Sequence, residues 1–159
     1  MRLEGKTAIV TGAGSGFGAG IARRFAAEGA RVMVVYLNGD AAEAVAAEIG
    51  GVAQVADVSS SESVRQMTRA ALDAWGRIDI LVNNAGITHL PKPLETVTEE
   101  EFDRVLAVNA KSVYLTAREI VPHMKDAGAG AIVNIASTAG VSPRPNLNWY
   151  NASKGWMIT

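Results

Sequence analysis

The chain has no cysteine and only two histidines, His89 and His123, far apart in sequence. Disulfides, thiol nucleophiles and thiolate metal sites are therefore excluded, no zinc-type cluster can form, and no metal is expected. An excess of either charge is also missing: fifteen Lys plus Arg stand against sixteen Asp plus Glu, for a net charge of −1. Such a balance leaves no electrostatic footprint for nucleic acid or an anionic membrane, so neither is an expected partner. The longest apolar run, Val32 to Leu37, is six residues, too short to span a bilayer. The amino terminus has no signal-peptide core, and the expected location is the cytoplasm. What is there is a chain of 159 residues, 48% hydrophobic and 19% charged. That excludes wholesale disorder and leaves room for one sizeable core, so residues 1–159 are expected to form a single domain.

Short β-branched runs alternate with helical patterns. Thr7 to Thr11, Arg31 to Leu37, Val52 to Ala56, Ile78 to Asn83 and Ala131 to Ala136 read as strands, apolar nearly throughout. Strands buried on both faces have this composition, and their alternation with helices predicts βαβ units around a parallel sheet. Helices are expected over about Gly16 to Glu28, with Phe17, Ile21 and Phe25 on one face, and over Asp40 to Ile49. A third is expected to open on a Ser59–Glu62 capping box, and a long fourth on a Thr98–Glu101 box, kinked or ended by Pro122. A fifth begins near Asn148, and its pattern is still running at Thr159.

The first strand runs straight into Thr11-Gly12-Ala13-Gly14-Ser15-Gly16-Phe17-Gly18 and then a helix. In that setting a glycine-rich turn offers backbone N–H groups to a diphosphate, and the missing Cβ atoms let the ligand approach. About twenty residues further on, such sites place an acid for the adenosine ribose or a cation for a 2′-phosphate. Tyr36 occupies that position, and Ser15 stands where a basic residue would favour NADP. NAD or NADP is the expected cofactor, with a lean to NAD because no cation is placed to hold a second phosphate.

Tyr150 and Lys154 are spaced i, i+4 on the last helix, so phenol and ammonium share a face. A neighbouring cation favours the phenolate and moves a tyrosine toward neutral pH, where it can exchange protons. Ser137 follows the fifth strand at its carboxyl end, where its hydroxyl can hold a carbonyl oxygen. Asn109 falls on the apolar stripe of the fourth helix, where a buried amide needs partners. Each has a plainer reading: a solvated helix face for the Tyr–Lys pair, a turn or cap for Ser137, a locally bonded amide for Asn109.

Together these residues resemble the short-chain dehydrogenase/reductase family in its classical branch. The resemblance spans essentially the whole chain and rests on the glycine turn, Asp57-Val58, Asn83-Asn84-Ala85-Gly86, Asn109, Ser137 and Tyr150-Asn151-Ala152-Ser153-Lys154. It implies a Rossmann-type doubly wound α/β sheet of strand order 3-2-1-4-5, and hydride transfer between a nicotinamide and a small carbonyl or secondary alcohol substrate. Tyr150 is then the acid/base and Ser137 orients the substrate oxygen. Lys154 tunes Tyr150 and binds the nicotinamide ribose, and Asn109 supports a proton relay. The cofactor residues it implies are Gly12, Ser15, Gly16, Phe17 and Gly18 in the turn, Tyr36, the adenine contacts Asp57 and Val58, the bracing residues Asn83, Ala85 and Gly86, and Tyr150 with Lys154. Asp57 also reads as a turn or cap acid.

Tyr36 departs from the family pattern. The resemblance further implies strands and helices beyond the fifth helix, so the chain is expected to be part of a longer protein, or to meet another copy in a homo-oligomer that covers the apolar fifth strand. The alternative reading is a nucleotide-binding or assembly fragment without turnover. His89, Leu90, Asn146, Leu147 and Trp149 lie near motif ends as candidate pocket residues or ordinary loop residues, and His123 reads as a helix-surface residue.

Overall fold

The β-branched runs become β1 (Thr7–Thr11), β2 (Arg31–Tyr36), β3 (Val52–Val55), β4 (Ile80–Asn83) and β5 (Ala131–Asn134). All are parallel, in one sheet ordered β3-β2-β1-β4-β5. The computed structural model describes residues 1–159. Helices α1 (Gly16–Ala27), α2 (Gly39–Ile49), α3 (Ser61–Trp75), α4 (Glu99–Leu106), α5 (Ser112–Asp126) and α6 (Asn148–Ile158) alternate with the strands. This is the Rossmann-type doubly wound arrangement in the expected order.

Successive strand residues face opposite sides of a sheet, and here both sides are covered. Ala8, Val10, Val32 and Val34 pack with Ala19 and Ala22 of α1 and Ala42, Val45 and Ala46 of α2. On the other face Ile9, Met33, Val35 and Leu81 meet Val64, Met67 and Ala71 of α3 and Leu115, Ile120 and Met124 of α5. Full burial of a side chain of this size stabilises by about 1.5–3 kcal/mol, which is why the central strands carry no polar face.

Several expectations need correction. Four strands are shorter than their apolar runs by one or two residues at an end. The outer strands are not buried on both faces: Val52 and Val55 of β3 are exposed, and all four residues of β5 are exposed at the opposite edge. Phe17 is 86% exposed and off the core face of α1, which is built from Gly18, Ala19 and Ala22 instead. The cap of α3 is Ser60, which accepts from the Ser63 N–H, while Ser59 bonds to Asp57. The expected box at Thr98 and Glu101 forms in both directions. The long fourth helix divides into α4, a π turn over Ala107–Lys111 and α5, and α5 continues past Pro122 to Asp126. Pro122 has no N–H to offer the Arg118 carbonyl, and both residues lie on the exposed face of α5, away from the core. His123 is exposed as expected, whereas His89 is buried. No helix is long and apolar enough to cross a membrane.

Candidate functional site

The carboxyl end of β1 is fastened to the segment after β4. The Thr11 hydroxyl donates to the Val82 carbonyl at 3.2 Å and accepts the Asn84 and Ala85 N–H groups at 3.0 and 3.1 Å. The Asn84 amide donates back to the Thr11 and Gly12 carbonyls at 2.9 and 3.2 Å. Gly12 has φ +67°, and a Cβ there would lie 2.8 Å from Asn84 Nδ2 and 2.9 Å from Ala85 Cα, so only glycine fits. A Cβ on Gly18 would collide with the Gly12 carbonyl, which places α1 hard against the turn.

The amino end of α1 differs from its neighbours. Asn38, Ser60 and Thr98 each cap α2, α3 and α4 through a side chain, and each of those helices has an acid in its first turn. Ser15, at the cap of α1, makes no such bond, and the first turn of α1 has no acid. Its hydroxyl pairs instead with the Tyr36 hydroxyl at 3.0 Å. The first N–H groups of α1 are thus free at the positive end of the helix, the arrangement that receives an anion.

These elements border a crevice of about 740 Å³. Of the expected cofactor residues, Gly12, Ser15, Gly16, Phe17 and Tyr36 line one side, and Asp57, Val58, Ala85 and Gly86 line the rest. Gly18, Asn83, Tyr150 and Lys154 do not border it. Asn83 is buried, donates to Asn134 Oδ1 at 2.9 Å and accepts from the Thr116 hydroxyl at 2.9 Å, a bracing role beneath the site. Asp57 Oδ1 accepts the Ser59 N–H and hydroxyl, so the turn-acid reading of that residue is the one its bonds describe. Asn84, Leu37, Arg104 and Val108 also line the crevice and were not singled out from sequence. Only Asn84 carried a signal, its place in the run from Asn83 to Gly86.

The other expected residues gather beside Gly86. Lys154 is buried on α6, and its Nζ donates to the Ile135 carbonyl at 2.9 Å. Burial holds its pKa below the ordinary lysine value. Ile135 lies two residues before Ser137, whose Oγ accepts the Ala139 N–H at 3.1 Å and caps the short turn Thr138–Gly140. A Cβ on Gly140 would lie 2.8 Å from Gly155 N, so this turn packs directly on α6. Asn109, in the π turn, exchanges bonds with both backbone groups of Ile87 at 2.8 Å and donates to Ser153 Oγ at 2.9 Å. A Cβ on Gly86 would lie 3.3 Å from Lys154 Nζ and 3.4 Å from Asn109 Oδ1. Gly86 therefore joins this cluster to the crevice. Tyr150 is half-buried one turn before Lys154, and its hydroxyl holds no protein partner. Outside this cluster, Trp149 packs edge-on against Phe102 and donates to the Leu94 carbonyl. The buried His89 places Nδ1 2.8 Å from the Leu90 carbonyl.

A parallel sheet with a glycine-rich turn and an uncapped helix at the carboxyl end of its first strand defines a Rossmann-type α/β protein. The chain belongs to the short chain dehydrogenase family, whose sequence model matches residues 6–159. It is 49% identical to 4-formylbenzenesulfonate dehydrogenase of Comamonas testosteroni over 163 residues, covering 99% of this chain and 65% of that protein. The crystal structure of 3-ketoacyl-(acyl-carrier-protein) reductase from Brucella melitensis complexed with NADH superposes with a TM-score of 0.96 at 51% identity, over 98% of this chain and 66% of that one. A metagenomic short-chain oxidoreductase in complex with NADP superposes with a TM-score of 0.93 at 40% identity, over 99% and 74% of the two chains. The chain spans 65%, 61% and 64% of the length of three curated relatives.

Proposed function

We infer that this chain carries the cofactor crevice and catalytic cluster of an NAD(P)-dependent oxidoreductase interconverting a carbonyl and a secondary alcohol. The observation that carries the reading is the convergence of Lys154 and Asn109 on Gly86, which lines the crevice, one helical turn from the free hydroxyl of Tyr150. The residues fit a dinucleotide: Gly12 and Gly16 bring bare backbone to the crevice, the first N–H groups of α1 are unspent, and Val58 and Val108 offer apolar walls. A bound nicotinamide supplies or accepts the hydride. Tyr150 gives its proton to the carbonyl oxygen on reduction and takes it back on oxidation. Lys154, held by the Ile135 carbonyl one turn beyond Tyr150, is the cation of the cluster. Because Ser137 Oγ accepts from Ala139, its own proton is free to donate to the substrate oxygen. Asn109 has both ends of its amide engaged, so its part is to hold Ile87 and the wall beside Gly86.

NAD is the preferred form in this reading. The stretch from Val32 to Val64, which supplies the ends of β2 and β3, contains five acids and no Lys or Arg. The one cation lining the crevice, Arg104, stands on α4, after β4 rather than β2. The Tyr36–Ser15 hydroxyl pair is neutral and suits a ribose hydroxyl rather than a phosphate.

The test is Tyr150→Phe, assayed with NADH and a panel of aldehydes and ketones that includes 4-formylbenzenesulfonate, the compound named for the Comamonas relative. We expect turnover to fall at least about a thousandfold while NADH affinity changes less than about threefold. Turnover by the variant at the native rate overturns the assignment. A native chain that binds NADH and reduces nothing is a nucleotide-binding part instead.

A further inference from the structure

The loop between Ser137 and Tyr150 contains a feature that cofactor binding and proton transfer leave unused. Its centre reads Pro143-Arg144-Pro145. Each proline fixes its own φ, and Pro145 restricts Arg144 to extended backbone, so the loop loses little freedom when it meets a ligand. The buried Asn151, next to Tyr150 on α6, clamps the same residue. Its Oδ1 accepts the Arg144 N–H at 3.3 Å and its Nδ2 donates to the Arg144 carbonyl at 2.9 Å. Asn146 adopts φ +61°, and its carbonyl accepts the Lys92 N–H at 3.0 Å, tying this loop to the one after β4. Strained backbone of this kind persists only where the surroundings hold it.

The side chain on this rigid support is an exposed guanidinium with nothing to bind. Six other arginines pair with carboxylates, and Arg31 lies over the Trp75 ring. Arg144 has no partner of either kind, a state it shares with Arg69 and Arg104, but it alone of these sits between Ser137 and Tyr150. The whole stretch from residue 127 to 159 contains no Asp or Glu, and its only other cation, Lys154, is buried. Across the loop contact, the Lys92 amine is already taken by Glu101 at 2.6 Å, and Glu95 makes no ion pair.

We propose that Arg144 selects substrates: the carbonyl or alcohol that Tyr150 works on carries a carboxylate or sulfonate, which this guanidinium receives at the mouth of the cluster. The proposal rests on the oxidoreductase reading for what the substrate undergoes, but the recognition is a binding property and is measured separately. A planar guanidinium takes such an anion through two parallel N–H bonds, and charge-assisted bonds of this type are the stronger ones.

The experiment uses the whole chain saturated with NAD+ and two ketones that NAD+ does not alter, 4-acetylbenzoate and its uncharged methyl ester, titrated by calorimetry. The acid should bind about tenfold or more tightly than the ester. Arg144→Gln should bring the two within about twofold, Arg144→Lys should keep part of the difference, and raised salt should narrow it. Arg144 is exposed and its backbone is held through Asn151, so the variants should melt with the parent. Equal affinities, no binding of the acid, or a preference that survives Arg144→Gln would each overturn the proposal. With NADH present, Arg144→Gln should raise KM for the acid about tenfold and leave kcat unchanged. If NADH reduces neither ketone while the Arg144-dependent preference remains, the oxidoreductase reading fails and the recognition stands.

Discussion

The two ends of the sheet treat their polar groups in opposite ways. At the amino end, Asp79 Oδ2 accepts the Thr7 N–H at 2.9 Å and lies 3.2 Å from the Thr7 hydroxyl, which in turn receives the Asp79 N–H. Arg77 pairs with Oδ1, and the Asp79 carbonyl accepts from Ala131 at the start of β5. Burial pushes the Asp79 carboxyl up, but the Arg77 guanidinium and the Thr7 N–H and hydroxyl outweigh it and hold the group below its ordinary value. Nothing is left over for a ligand. At the carboxyl end, α1 keeps its N–H groups, Tyr150 its hydroxyl, and Lys154 a single carbonyl partner. One sheet thus ties β1, β4 and β5 together at one end and leaves hydrogen-bonding capacity open at the other, where strand ends and helix starts converge.

Three substitutions sharpen this contrast. Gly18→Val attacks the open end through sterics alone, since its Cβ would meet the Gly12 carbonyl and lie 2.5 Å from Asn84 Nδ2. We expect a loss of about 3 kcal/mol or more in denaturant unfolding, together with loss of NADH binding; a variant that binds NADH normally would contradict the packing described. Asp79→Asn strikes the tied end. It should cost about 2 kcal/mol and leave NADH affinity intact, because far from the crevice Arg77 loses its counter-charge and an NH2 donor replaces one of the two oxygens that Arg77 and Thr7 share. The sign of its pH dependence follows from the lowered native pKa. The stability it supplies is complete above the unfolded carboxylate value and is lost as pH falls through the native one, so in acid the native chain and Asp79→Asn should converge in melting temperature. Tyr36→Phe is the mildest. It should weaken NADH by about 1 kcal/mol, roughly fivefold, with the melting temperature unchanged, and an unaltered affinity would remove Tyr36 from the ribose site.

How much was legible beforehand differs by element. The central strands β1, β2 and β4 were readable because both of their faces are covered, so their apolar runs are nearly unbroken; strand ends were not, because apolar residues such as Ile78 and Ile135 carry the runs beyond the strands themselves. The Thr98–Glu101 box was legible because both partners are local, whereas at α3 three consecutive serines compete for one cap and only the fold selects Ser60. Phe17 matched a helical stripe by spacing, yet the tight seat of Gly18 turns the core face of α1 toward Ala19 and Ala22 and leaves Phe17 to the crevice. Asn109 was visible as an odd polar residue on an apolar stripe, but its Ile87 and Ser153 partners lie 22 and 44 positions away.

By itself the sequence determined a parallel α/β class, the glycine turn, and the candidate set Ser137, Tyr150 and Lys154, because periodicity, glycine spacing and an i, i+4 spacing are local properties of the chain; the doubly wound strand order came with the family resemblance. Only the tertiary structure decided that the Ser15 hydroxyl turns to Tyr36 and leaves α1 uncapped, and that Gly86 is where Lys154 and Asn109 meet. It also decided that the guanidinium of Arg144 stays free on a clamped loop. Those facts depend on which distant groups satisfy one another, and hydrogen-bond partners are allotted across the whole fold rather than along the chain.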